Sequence, residues 1–94
     1  MQIDDIIWLP QFVEKLERKH DVTIEEVEEV FVKNPRFRFI NKGQRPGEDV
    51  YSASGQTNAG RYLIIYFILK PRNRALVVSA RNMDRKERRQ YARK

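Results

Sequence analysis

The run from Tyr62 to Leu69 constrains this chain more than any other feature. It is eight consecutive apolar residues, too short to span a bilayer. The segment Arg61 to Leu69 is apolar on both faces, which predicts a central strand covered on both sides. A chain of 94 residues has room for one modest core, because it buries roughly 60–65% of the surface it exposes when unfolded. A single domain over residues 1–94 is therefore expected, built around that strand.

The segments before it read as helices. Ile6-Ile7-Trp8-Leu9 is a short strand or an extended lead-in, and Pro10 suits the first turn of a helix. Phe12, Val13 and Leu16 recur at helical spacing, so residues 10–19 form a short amphipathic helix. Lys15, Arg18 and Lys19 near its end complement the helix dipole. Thr23 and Glu26 fit a capping box for a second helix, with Val22 and Val27 as its hydrophobic staple. Ile24, Val27, Val30 and Phe31 make its apolar stripe, and Asn34-Pro35 ends it. The remainder is a meander. Arg36 to Ile40 alternates basic and apolar, Lys42 to Gly47 is a loop, and Glu48 to Ser54 is a weaker strand. Thr57 to Gly60 and Lys70 to Arg74 are turns on either side of the central strand, and Leu76 to Ala80 is the last strand. Asp84, with Glu87 three residues on, caps a final basic helix. The tail Arg93-Lys94 is expected to fray.

Charge divides the chain unevenly. Residues 1–31 hold three basic and nine acidic groups, a net of −6, whereas residues 32–94 hold sixteen and four, a net of +12. The second half therefore suits an anionic partner, nucleic acid first. No long amphipathic basic helix marks a membrane surface as that partner. Asp4 and Asp5 stand where a signal peptide would be basic. Without cysteine, and with His20 as the single histidine, disulfides and a zinc site are not expected. Adjacent carboxylates such as Asp4 and Asp5 point apart in a strand, so no metal is expected there either.

Three segments carry a family likeness. They are Arg18-Lys19-His20-Asp21-Val22-Thr23-Ile24-Glu25-Glu26 running into Val30-Phe31, Gly60-Arg61 with alternating apolar residues to Tyr66, and Ser79-Ala80-Arg81 with Glu87-Arg88 and Tyr91. Together they make the chain resemble, from residue 8 to 91, the BrnT toxins, small bacterial ribonucleases of type II toxin–antitoxin pairs. Three positions depart from the pattern. Asp21 stands where glycine is usual, and aspartate tolerates the left-handed turn this implies. Val50 replaces a common arginine, removing one candidate phosphate contact, and Ser54 replaces an isoleucine.

The resemblance implies a RelE-like fold, RNA cleavage without a metal, and neutralisation by an antitoxin that binds DNA. Such cleavage uses the 2′-hydroxyl to attack its own phosphate, and stabilising the developing charge is often the largest contribution. Arg81, at the exit of the last strand, is the first candidate for that role; its alternative is an ion pair with an acidic residue of the second helix. Arg61, at the start of the central strand, is the second, expected to converge with Arg81 on one phosphorus. Arg88 either assists or pairs with Asp84. Glu87 is a general base or only a capping partner of Asp84. His20 moves protons or merely satisfies the end of its helix. Arg36 and Arg38, on one strand face opposite Phe37 and Phe39, join Arg85 and Tyr91 as candidate RNA contacts.

These readings converge on an α+β domain of two N-terminal helices, a four-stranded antiparallel sheet and a C-terminal helix. The function expected is that of a metal-independent RNA endonuclease. It would be a cytoplasmic toxin that inhibits translation, needs no cofactor, and forms oligomers only with a ribbon-helix-helix antitoxin. The alternative is an inactive module of the same fold that binds RNA or the antitoxin.

Overall fold

The computed structural model describes residues 1–93. Lys94, the end of the tail expected to fray, lies outside the described residues. The order of elements is β1 (Asp5–Ile7), α1 (Pro10–His20), α2 (Ile24–Val32), β2 (Arg36–Asn41), β3 (Val50–Gln56), β4 (Tyr62–Lys70), β5 (Arg74–Asn82) and α3 (Arg85–Ala92). The sheet runs β1-β5-β4-β3-β2, so the apolar run from Tyr62 to Leu69 is its central strand.

The four antiparallel strands expected from the sequence are β2 to β5. A fifth corrects that picture: β1 pairs parallel with β5, Asp5 to Ile7 against Arg74 to Leu76, so the sheet is five-stranded and mixed, not four-stranded and antiparallel. Three residues at an edge are too few to show a period. The other shift is in β3, expected from Glu48 to Ser54 and found two residues further on, because Glu48 and Asp49 still belong to the preceding loop.

Helices α1 and α2 cover one face of the sheet. Leu16, Val22, Val27 and Val30 from that layer meet Ala53, Leu63, Ile65, Phe67, Ala75, Val77 and Ala80 from the strands in one buried cluster. Phe31 and Phe37 pack against Phe67 with ring centroids 5.6 and 6.0 Å away. Most of the aromatic residues interleaved with arginines on this side are thus core. The helix junction forms as its sequence dictates. Asp21 closes α1 in the left-handed region (φ 52°, ψ 43°), and Thr23 and Glu26 complete a reciprocal capping box on α2. At Gly55 in β3 an added Cβ would stand 2.9 Å from Val30 Cγ1, so the glycine lets α2 lie close to the sheet.

Among the described residues the opposite face carries only α3, none of whose residues is buried. It is held from outside. Arg36 Nη1 donates to the Gln90 carbonyl at 3.2 Å and to that of Arg93, satisfying the last carbonyls of the helix. Tyr91 meets Tyr62 edge-on at 6.0 Å. Among the described residues no helix is long and apolar enough to cross a membrane.

Candidate RNA-binding groove

Which face each arginine takes follows from strand parity. In β4, Leu63, Ile65 and Phe67 belong to the helix-covered core, so Tyr62, Ile64 and Tyr66 point to the α3 side. Arg61 has the parity of Leu63. Its guanidinium turns to the helices: Nη2 donates to the His20 carbonyl at 3.0 Å, and Nη1 to the Asp21 carbonyl at 2.6 Å and the Glu26 carboxylate at 3.0 Å. Nε donates to Asn82 Oδ1 at 2.7 Å.

Arg81 would share that side if β5 were regular, since Val77 is in the core. A one-residue bulge intervenes: Tyr66 pairs with Ser79 but Phe67 with Val77. The extra residue, Val78, reverses the parity. Ala80 then takes the core side, and Arg81, paired with Ile64, emerges beneath α3. The expected convergence of Arg61 and Arg81 on one phosphorus is therefore overturned, for the two guanidiniums lie on opposite faces of the sheet.

What gathers instead is Arg81, Glu87 and Tyr66. Arg81 Nη1 and Nη2 donate to the two carboxylate oxygens of Glu87 at 2.7 and 2.8 Å, and Nη2 also donates to the Tyr66 hydroxyl at 3.2 Å. Glu87 closes the Asp84 capping box at the same time, its Oε1 accepting from the Asp84 amide at 2.9 Å. Capping and side-chain chemistry were alternatives for Glu87 in the sequence; the carboxylate serves the cap and the ion pair together. The Arg81 hydrogen bond holds that carboxyl below its ordinary value of 4.5, against the opposing effect of burial. Glu87 in turn raises the Arg81 guanidinium further above its already high value.

A group whose folded pKa is depressed stabilises fully above its unfolded pKa and loses that contribution as pH falls through the folded one. The stability difference between the protein and Glu87→Gln should accordingly be constant from pH 7 to about 5. It should shrink below the ordinary carboxylate value of 4.5. Urea denaturation at a series of pH values measures it; a difference that grows with acid would contradict the pairing.

Tyr66 and Glu87 wall a groove of about 410 Å³ whose lining also includes Arg38, Ile40, Ser52, Ser54 and Tyr91, and Arg81 sits behind these two walls, hydrogen-bonded to both. Two rows of strand neighbours run beneath it and on into β5, Arg38, Ser52, Tyr66, Ser79 and Arg36, Ser54, Ile64, Arg81. Arg38 is exposed and makes no side-chain hydrogen bond or ion pair among the described residues. Arg36 instead spends its guanidinium on α3, with the Tyr91 ring 5.2 Å away. The other candidates stand apart. His20 contributes its carbonyl to the Arg61 clamp and is absent from the groove lining. Arg88 does not bond to the Asp84 side chain; its guanidinium stacks 4.1 Å from the Tyr62 ring centroid. With Arg85, Arg89 and Tyr91 it lines a second cleft on the far side of α3. Sequence reasoning missed Tyr66, Ser52 and Ser54 as groove residues. The signal for Tyr66 was its parity, opposite to Leu63, Ile65 and Phe67.

Among the described residues no three His, Cys, Asp or Glu side chains group as metal ligands. A cation, a carboxylate and a phenol on a groove flanked by basic side chains define a small α+β domain suited to holding a phosphodiester chain. The comparisons with known proteins narrow that class. The model of the family described as the ribonuclease toxin BrnT of type II toxin–antitoxin systems matches residues 8–87. The chain therefore belongs to the BrnT family. Its fold is similar to the crystal structure of the Brucella abortus ribonuclease toxin BrnT, with a TM-score of 0.63 and 16% identity over 86% of this chain and 97% of that one. A search of curated proteins gives no match.

Proposed function

We propose that this chain cleaves single-stranded RNA in the groove beneath α3, by attack of a 2′-hydroxyl on its adjacent phosphate and with no metal ion. The observation that carries the reading is that Arg81 hydrogen-bonds to both Glu87 and Tyr66. In this mechanism the Glu87 carboxylate takes the 2′-hydroxyl proton. Arg81 stabilises charge on the phosphorane. Tyr66, which accepts a hydrogen bond from Arg81, gives its own proton to the departing 5′-oxygen. Cleavage leaves a 2′,3′-cyclic phosphate and a 5′-hydroxyl. Arg38 and Tyr91 hold the flanking nucleotides, while Arg85 and Arg88, over Tyr62, receive the strand beyond α3.

Loss of cytoplasmic messenger RNA in this way would inhibit translation, and a ribbon-helix-helix antitoxin would form the neutralised oligomer. RNA binding without cleavage is the second reading. It is favoured by one observation: Glu87 already occupies both terminal nitrogens of Arg81, so a phosphate must compete for them. Incubating the purified protein with total RNA and EDTA separates the two. Fragments ending in cyclic phosphate are expected. Full-length RNA at protein in molar excess, with binding that weakens as salt rises, would leave only the second.

A further inference from the structure

Helix α3 presents two opposite faces. Glu87, Gln90 and Tyr91 line the groove, whereas Arg85, Arg88, Arg89 and Ala92 line a cleft of about 510 Å³ on the other side. Each set has the i, i+3, i+4 spacing of one helical face, and an offset of two residues puts the faces about half a turn apart. Tyr62 and Met83 close the cleft from the sheet, joined by a backbone hydrogen bond of 3.1 Å. Tyr91 belongs to both linings, so its ring stands where groove and cleft meet.

No Asp or Glu lines this cleft. The acids of the helix and its cap are engaged elsewhere: Asp84 accepts from the Glu87 amide at 2.8 Å, and the Glu87 carboxylate holds Arg81. The ion pairs among the described residues belong to Arg18, Arg61 and Arg81, which leaves the three cleft arginines without a carboxylate. Like charges three and four residues apart on a helix repel. A phosphate between Arg85 and Arg89 offsets that repulsion and meets two forked donors. Arg88 is placed differently. Its guanidinium lies over the Tyr62 ring, 4.1 Å from the centroid, and its outer face is a stacking surface for a base.

We propose that this cleft is a second nucleotide subsite, in which a base stacks on Arg88 and a phosphate sits between Arg85 and Arg89. It rests on the reading that RNA lies in the groove, and it adds that the RNA passes Tyr91 and is gripped again on the far side of α3. A helix with its side chains is about 10–12 Å across. An RNA that fills both sites therefore needs about 4 nucleotides or more, the lower end of single-strand site sizes. Substrate length, not only the scissile step, then sets affinity.

The test is fluorescence anisotropy with 2′-O-methyl oligoribonucleotides, which carry no attacking hydroxyl. An RNA of about 10 nucleotides should bind about 10-fold more tightly than one of about 3. Arg85→Gln combined with Arg89→Gln should lose most of that advantage. For the longer RNA the slope of log Kd against log salt should also fall by about 0.7, the share of one phosphate. Arg88→Lys keeps the charge but not the plane, and should weaken the longer RNA about 5-fold. All three arginines are exposed, and glutamine and lysine are good helix formers, so these variants fold. Arg72→Asn, in the β4–β5 turn at the other end of the strands, should change nothing, and asparagine suits its φ of 68°. A length advantage that survives in the double variant would overturn the proposal, as would full affinity in Arg88→Lys or an equal loss in Arg72→Asn. So would a double variant that binds both RNAs normally and loses only the antitoxin, for the arginine face would then belong to a protein partner. If neither RNA binds the unaltered protein, the reading of the groove falls as well. If both bind it equally, the groove stands and the subsite falls.

Discussion

Replacing Arg81 with alanine is expected to slow RNA cleavage by about 10²–10³-fold, the effect of removing one preorganised charge-stabilising donor, while leaving the protein folded. Two features separate catalysis from stability here. The Arg81–Glu87 pair is partly solvated, with side-chain exposures of 34% and 22%, so its loss should cost no more than about 1 kcal/mol. Glu87 also keeps its bond from the Asp84 amide, and the helix cap survives. No neighbour substitutes for the missing charge. Arg36 is committed to the α3 carbonyls, and Arg38 approaches from the open side without a fixed partner. Arg81→Lys should recover only part of the rate, since an ammonium cannot reproduce the fork that holds both Glu87 oxygens. Single-turnover cleavage of a short oligoribonucleotide, with circular dichroism as the control for folding, measures both variants.

Arg61→Ala should do the reverse: unfold more easily and, where folded, cleave at close to the normal rate. The Arg61 guanidinium joins the last carbonyls of α1, the capping carboxylate of α2 and Asn82 of β5. Removing it leaves Glu26 a partly buried carboxylate without its cation and the end of α1 without a donor. Hydrogen bonds to charged groups contribute about 1.5–3 kcal/mol. With the pair about a quarter exposed (25% and 24%), an estimate of about 2 kcal/mol is appropriate after allowing for screening. For a domain of this size that lowers the melting temperature by about 8–16 °C. A small change in melting temperature together with a large loss of cleavage would return Arg61 to the site and contradict the clamp.

The two arginines also show what the sequence made legible. Helix starts were readable because capping boxes and staples are local, and Asp21 and the central strand β4 were readable for the same reason. Arg18–Glu26 and Gly60-Arg61, two of the segments that carry the family likeness, meet in space, since Arg61 closes on the carbonyls and carboxylate of that helix junction. Two things were not readable. The pairing of β1 depends on residues some seventy positions away, which three residues of β1 cannot announce. The side on which Arg81 emerges depends on one extra residue at Val78, and nothing in Leu76-Val77-Val78-Ser79 distinguishes a bulge from a regular strand. That single insertion separated Arg81 from Arg61 and joined it to Tyr66, a residue whose role the apolar run around it concealed.

The location of the site is tested most directly by amide chemical shifts on titration with an oligoribonucleotide whose scissile nucleotide carries a 2′-deoxy substitution. That ligand binds but lacks the attacking hydroxyl. The shifts should cluster at Arg38, Ser52, Tyr66, Arg81 and Glu87, and the α1–α2 junction should remain unchanged. Shifts centred on His20, Asp21 and Arg61, with the groove beneath α3 silent, would contradict the account.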